Sequence, residues 1–399
     1  RVETTQRLPN ASVSICAAWT RGSGDGMMRS LMVQASHDVP ELVRAPDVVS
    51  REWLTRVLRR AQLLERAGVE DFTAQTVGTG QMGTSVRYRL HYDHAEPHAP
   101  DSVVCKFASA DPTSRATGLA LRSYEAEVSF YREVARSVDI RTPQCHFADI
   151  DLETGEFVLV LEDLAPCVQG DQLAGCTVDQ AALAMEELAK LHAPRWNDAR
   201  LAALPWLNRN TAESVETGAQ LLASLFPGFL DRYAARLDPE HVRIAEHLPA
   251  SLDRWLRQRE PPFVVQHGDY RLDNMLFGTH EGGYPLAVVD WQTVVWGPPL
   301  ADASYFLGAG LLPEVRRQHQ QALLHIYHDA LVAHGVDGFS WDRCWRDYRR
   351  YAFSGFLMAV GASMLVVQTE RGDEMFLTMA RRHGTQIVDL NSEEFLAAS

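Results

Sequence analysis

The chain has no C-x-x-C pair and no cysteines at metal-ligand spacing: its six cysteines, Cys16, Cys105, Cys145, Cys167, Cys176 and Cys344, are scattered along 399 residues. That excludes a zinc ribbon and a dithiol redox motif, and it leads us to expect reduced thiols in a cytoplasmic protein. Positive charge is also short. Lys and Arg number 38 against 52 Asp and Glu, a formal net charge of -14, which repels nucleic acid phosphates and anionic membrane surfaces and removes both as expected partners. The uncharged stretch from Tyr351 to Gln368 is diluted by Ser354, Gly355, Gly361 and Ser363, so a helix buried in a large lobe is expected there and not a membrane span. The mildly apolar patch from Ala11 to Trp19 is short and lacks a cleavage context, and no secretion signal is expected. No internal repeat is visible.

What is present is the composition of an ordinary globular protein, with 46% hydrophobic and 23% charged residues. The length exceeds what one compact core usually holds, which points to two lobes. Residues 1–40 show no sustained period and contain the run Arg21-Gly22-Ser23-Gly24-Asp25-Gly26; disorder or an upstream extension is expected for them. Ser50 then caps an amphipathic helix carrying Trp53, Leu54, Val57 and Leu58. Short strands follow: Val86-Arg87-Tyr88-Arg89-Leu90 alternates, while Ser102 to Phe107 and Phe157 to Leu161 are apolar runs. A helix is expected from about Leu119 to Ser137. From about Thr177 onward the pattern is mainly helical, broken by Pro194, Pro205 and Pro227. The fold class is therefore α+β, a small antiparallel sheet with one helix followed by a larger, mainly helical part. Boundaries fall at 41–162 for a nucleotide-binding lobe and 163–399 for a catalytic and substrate-binding lobe.

Three segments carry chemistry. Gly78, Gly80 and Gly83 form a G-x-G-x-x-G, and they lead into the alternating strand at Val86 rather than into a helix. That context favours a kinase-type loop over phosphates against a dinucleotide fold, although a ligand-free glycine hairpin has the same pattern. Lys106 sits inside an apolar strand and needs a partner. Glu127 shares a helix face with Phe130, Tyr131 and Val134, so it points inward and can supply one; the alternative is an edge-strand lysine reaching water. The most specific signal is His267-Gly268-Asp269-Tyr270-Arg271-Leu272-Asp273-Asn274, with the D-x-x-x-x-N spacing of a kinase catalytic loop, followed by Asp290 at the end of the apolar run Leu286 to Val289. Phosphoryl transfer needs a carboxylate beside the attacking hydroxyl and oxygen ligands for Mg²⁺, and Asp269, Asn274 and Asp290 are residues of the right kind. His325 and His328, three apart on an expected helix, lack a third metal ligand.

On these motifs, together with Leu161-Glu162-Asp163-Leu164, Leu191-His192-Ala193, Asp290-Trp291-Gln292, Asp302 and Ser304-Tyr305-Phe306-Leu307, residues 50–399 resemble the aminoglycoside phosphotransferase and choline kinase family, of protein-kinase-like bilobal fold. In motif they are closest to its ecdysteroid-kinase-like branch. The resemblance implies an ATP- and Mg²⁺-dependent kinase that phosphorylates a small-molecule hydroxyl. Asp269, Lys106 and Glu127 would be its catalytic set, and Asn274 and Asp290 its metal ligands. The nucleotide would be met by Gly78, Gly80, Gly83, Lys106 and the segment Glu162, Asp163 and Leu164. Asp302 would brace the catalytic loop, with His267 and His192 as structural braces. Gly268 in place of the protein-kinase arginine, and Trp291-Gln292 in place of Phe-Gly, argue against a protein substrate. A rival from another class is a catalytically silent nucleotide-binding module acting as a sensor. The sequence does not encode the acceptor or the oligomeric state in any readable form.

Overall fold

A computed structural model describes residues 40–78 and 82–397. Residues 1–39, with Cys16 and the Ala11 patch among them, lie outside the described residues, as does Gly80.

Helix α1 (Arg51–Arg60) begins where Ser50 accepts the backbone N–H of Trp53, an N-cap that satisfies one of the donors a helix start leaves free. Its apolar stripe, Trp53, Leu54, Val57 and Leu58, covers one side of a five-stranded antiparallel sheet. The strands are β1 (Val69–Val77), β2 (Gly83–Tyr92), β3 (Ser102–Ala108), β4 (Cys145–Ile150) and β5 (Phe157–Glu162), in the order β1-β2-β3-β5-β4. On β2 the expected alternation holds, with Val86, Tyr88 and Leu90 buried toward α1.

Helices α2 (Pro112–Ala120) and α3 (Ser123–Ser129) lie between β3 and β4 in the chain. The single helix expected from Leu119 to Ser137 is interrupted, because Arg122 adopts a left-handed backbone at φ +56°. After α3 the chain widens into a π turn over Phe130–Val134 and then tightens into a 3₁₀ turn over Ala135–Ser137. The inward face is nevertheless as expected, with Glu127, Phe130, Tyr131 and Val134 all buried.

The remainder is mainly helical: α4 (Val178–His192), α5 (Ala212–Tyr233), α6 (Pro239–Arg257), α7 (Leu300–Gly310), α8 (Pro313–Ala333), α9 (Trp341–Arg350), α10 (Phe353–Leu365) and α11 (Glu370–Asp389). Helix α4 opens on a capping box between Thr177 and Gln180. Pro227 does not break the chain as expected; α5 runs through it. Phe226 and Phe229 beside it are buried, and packing of that face outweighs the roughly 3 kcal/mol an interior proline costs. Helix α10 lies within the uncharged Tyr351 to Gln368 stretch and is largely buried. No helix among the described residues is long and apolar enough to cross a membrane.

Short ladders hold the chemistry-bearing loops. Strand β7 (Val264–Gln266) pairs with β10 (Val295–Gly297). Strand β8 (Met275–Thr279) lies between β6 (Val168–Gln169) and β9 (Gly282–Val288). The segment 267–274 is therefore clamped between β7 and β8, and Asp290 follows β9 directly.

Candidate active site

Lys106 lies on β3, flanked by β2 and β5, where its stem is surrounded by apolar strand. Its Nζ donates to Glu127 Oε1 at 2.7 Å and to Asp290 Oδ1 at 2.8 Å. Burial pushes the Lys106 ammonium toward neutrality, but the charges of Asp290 and Glu127 outweigh it and the pKa rises. The Glu127 pKa is raised too: burial pushes it up, with the Lys106 charge opposing. Lys106 thus lies on an inner strand and not at a sheet edge; it joins three segments far apart in sequence.

The loop 267–274 is held from behind by α7. Asp302 Oδ2 accepts the backbone N–H of His267 at 2.7 Å, and its Oδ1 accepts that of Gly268 at 3.0 Å. His192 Nε2 approaches the same carboxylate at 3.4 Å while its Nδ1 meets the Tyr327 hydroxyl at 2.8 Å. Burial lowers the His192 pKa, so it stays neutral as a buried spacer. His267 Nδ1 accepts the Asp269 N–H at 3.2 Å, which puts the ring proton on Nε2, 3.0 Å from the Val289 carbonyl. Both histidines have both nitrogens engaged, as suits braces.

Asp269 accepts from three side chains. Tyr305 Oη donates to Oδ1 at 2.6 Å, Asn274 Nδ2 to Oδ2 at 2.9 Å, and Arg271 Nε to both oxygens at 3.0 Å. Burial would raise its pKa, but the Arg271 charge and the Tyr305 hydroxyl prevail and hold it below the usual carboxylate range. Asn274 Nδ2 also donates to the Asp269 carbonyl at 2.9 Å. With the amide nitrogen spent on Asp269, Asn274 Oδ1 has no protein partner among the described residues, and neither has Asp290 Oδ2. The Val289 N–H donates to the Asn274 carbonyl at 3.0 Å, which ties the segment before Asp290 to the 267–274 loop. Two free hard oxygens on adjoining loops fit a Mg²⁺ ion that takes its other ligands from water and phosphate. Among the described residues no group of three His, Cys, Asp or Glu side chains is placed to hold a metal. His325 instead stacks on Trp341 at 3.5 Å, and His328 Nε2 meets the Phe339 carbonyl at 2.8 Å.

Of the glycines, Gly78 takes a left-handed turn at φ +77° after β1. Gly83 begins β2 so close to β3 that a Cβ would lie 3.0 Å from the Phe107 carbonyl oxygen and 3.4 Å from Lys106 Cε. The carboxylates of the Glu162 segment are spent within the protein. Arg141 grips Glu162 at 2.6 and 2.7 Å, and Arg87 grips Asp163 at 2.6 and 2.8 Å. Leu164 is buried, so contact from this segment to a ligand is left to its backbone.

Three participants were given no role by the sequence, although Arg271 and Tyr305 stand in motifs quoted above. Arg271 had a signal, since it lies inside the motif. Tyr305 had a weaker one, standing three residues after Asp302 and hence on the same helical face. Thr142, whose Oγ1 accepts the Trp291 Nε1–H at 2.9 Å, had none.

A sequence model of the ecdysteroid kinase-like family matches residues 79–336. Over 75 residues the chain is 39% identical to acyl-CoA dehydrogenase family member 10 of Mus musculus, covering 19% of this chain and 6% of that protein. Over 86 residues it is 35% identical to acyl-CoA dehydrogenase family member 11 of Gallus gallus, covering 20% and 11%; the chain matches only a small part of the length of these curated relatives. Among solved structures, choline kinase from Cryptosporidium parvum is similar at a TM-score of 0.49 and 10% identity, over 81% of this chain and 89% of that one.

Proposed function

This chain belongs to the ecdysteroid kinase-like family, and from that premise we propose that it is an ATP- and Mg²⁺-dependent phosphotransferase acting on a hydroxyl group of a small molecule. The observation that carries the reading is one connected set of polar contacts. Glu127 and Asp290 meet at Lys106, and Val289, next to Asp290, bonds to Asn274, which in turn bonds to Asp269.

The nucleotide would lie between the 41–162 and 163–399 segments. Lys106, fixed by Glu127, would meet the α- and β-phosphates. The Gly78, Gly80 and Gly83 turn would bring backbone N–H groups near the phosphates, and the backbone at Glu162, Asp163 and Leu164 would meet the base. Asn274 Oδ1 and Asp290 would hold Mg²⁺, which when bound neutralises phosphate charge. Asp269 orients the acceptor hydroxyl and takes its proton. The acceptor oxygen then bonds to the γ-phosphorus, the bond from that phosphorus to the β–γ bridging oxygen breaks, and ADP leaves. Catalysis is by positioning and charge, without a covalent enzyme intermediate.

The test is Mg²⁺-dependent ADP release over a panel of aminoglycosides, macrolides, amino alcohols, sterols and sugars. Asp269→Ala is expected to abolish release while ATP still binds. Turnover retained in that variant removes the proposed base, and ATP binding by the wild type with no turnover on any acceptor supports the silent module instead.

A further inference from the structure

Helix α7 touches the catalytic loop twice. Asp302 takes the backbone N–H groups of His267 and Gly268, and one turn later Tyr305 reaches the Asp269 side chain at 2.6 Å. The first contact sets the path of the loop; the second acts on the carboxylate itself. Tyr305 is 2% exposed, and its ring lies 5.4 Å from that of His383. His383 is itself wedged against Gly308 and Gly355, where an added Cβ would come within 2.4 and 2.0 Å of its ring. The hydroxyl therefore sits at the end of a ring that packing allows little freedom to turn.

Arg271 works from the other side. Its Nε is 3.0 Å from both Asp269 oxygens, and its Nη1 is 2.6 Å from Asp273 Oδ2. Asp273 Oδ1 is anchored in turn by the Gln172 N–H at 3.0 Å. With Asn274, three donor hydrogens meet Asp269, and a carboxylate offers about four acceptor directions. The Arg271 hydrogen is shared between both oxygens, so with Tyr305 on Oδ1 and Asn274 on Oδ2 each oxygen is held from two sides.

We infer that Tyr305 is a positioning residue which, together with Arg271, locks the Asp269 carboxylate in the single orientation it presents to the acceptor. The inference rests on the reading of Asp269 as the base. Loss of the Tyr305 hydroxyl leaves Oδ1 held by Arg271 alone, lets the carboxylate turn about its χ angles, and spreads the acceptor over unproductive orientations. Nucleotide contacts, made by Lys106 and the glycine turn, are untouched.

The experiment measures ADP release from Mg·ATP by the full chain with water as the acceptor, in wild type, Asp269→Ala, Tyr305→Phe and Arg271→Lys. Crystals of wild type and Tyr305→Phe with a non-hydrolysable ATP analogue supply a readout that needs no acceptor. Tyr305→Phe is expected to lower kcat about tenfold with KM for ATP unchanged, and to show Asp269 in a second rotamer. Arg271→Lys, which keeps the charge but loses the Nε contact, is expected to split kcat from KM in the same way and covers the case of a misfolded Tyr305→Phe. Wild-type kcat in Tyr305→Phe, or an unmoved Asp269 in its crystal, overturns the inference. Turnover surviving in Asp269→Ala removes the base and the inference together, whereas turnover lost there but intact in Tyr305→Phe removes the inference alone.

Discussion

Gly268 and Gly335 both have left-handed backbones, at φ +80° and +88°, and their surroundings separate them. A Cβ on Gly268 would stand 2.4 Å from the Thr293 carbonyl oxygen, while one on Gly335 would meet nothing within 4 Å. The Thr293 carbonyl has little room to yield, because the same residue's Oγ1 is bonded to the His267 carbonyl at 2.9 Å. Gly335→Ala should therefore cost only the backbone strain, about 1 kcal/mol. Gly268→Ala adds a backbone clash inside the 267–274 loop and should cost at least about 2 kcal/mol more. Urea denaturation of the two variants gives the comparison, and equal midpoints would show that the loop accommodates a side chain. The close approach of the turn at Thr293 leaves no volume for a side chain at this backbone position.

At the scale of elements, Trp291 joins the π turn after α3 to the Asp290 loop. Its ring stacks on Phe130 at 3.8 Å and 11°, and its Nε1 donates to Thr142. The helix that carries Glu127 and the loop that carries Asp290 are thus pinned together beside the Lys106 ion pair. Trp291→Phe keeps a ring in the stack and loses the hydrogen bond, for an expected cost of about 1 kcal/mol. Trp291→Ala empties a fully buried site, for about 3–5 kcal/mol, and should weaken ATP binding because Glu127 and Asp290 no longer share a fixed frame. Guanidinium titration and ATP binding by calorimetry check both; ATP affinity unchanged in Trp291→Ala would separate the stack from the ion pair. The elements most legible in the sequence were those whose signal is local: the Ser50 cap, the alternation on β2, and the spacing from Asp269 to Asn274. The break at Arg122 was not legible, because no glycine or proline marks it. Most of β1 was missed because between Val69 and Val77 only Phe72 and Ala74 are apolar and the stretch is largely exposed. The link from Tyr305 to Asp269 crosses 36 residues, and that from Trp291 to Thr142 crosses 149, so both depend on a chain path that motif spacing does not encode.

At the scale of the whole molecule, the large core that runs from the sheet into the helices encloses ionisable groups that must fold uncharged, and this sets how stability responds to acid. His383, on α11, is fully buried; its Nδ1 lies 3.3 Å from Gln386 Oε1, and its Nε2 has no partner among the described residues. Burial lowers its pKa to about 3, and the nearby Arg316 and Arg382 charges act in the same direction. His192, His241 and His146 are lowered as well, each chiefly by burial. At His383 the unfolded chain takes up a proton below the ordinary value of 6.5 while the native protein does not until about pH 3. The unfolded state binds more protons across that window, so stability rises with pH there, is fully present above it, and is lost as pH falls through it. Each such histidine contributes a slope of up to about 1.4 kcal/mol per pH unit. Below neutrality the protein should therefore unfold at progressively lower temperature, before its carboxylates titrate. His383→Asn should be less stable than wild type at pH 8 and yet show a shallower decline, by about one proton, between pH 6.5 and 5. Calorimetric melting over that range decides the matter, and parallel curves for the two proteins would mean that the His383 ring can take up a proton without unfolding the lobe around it.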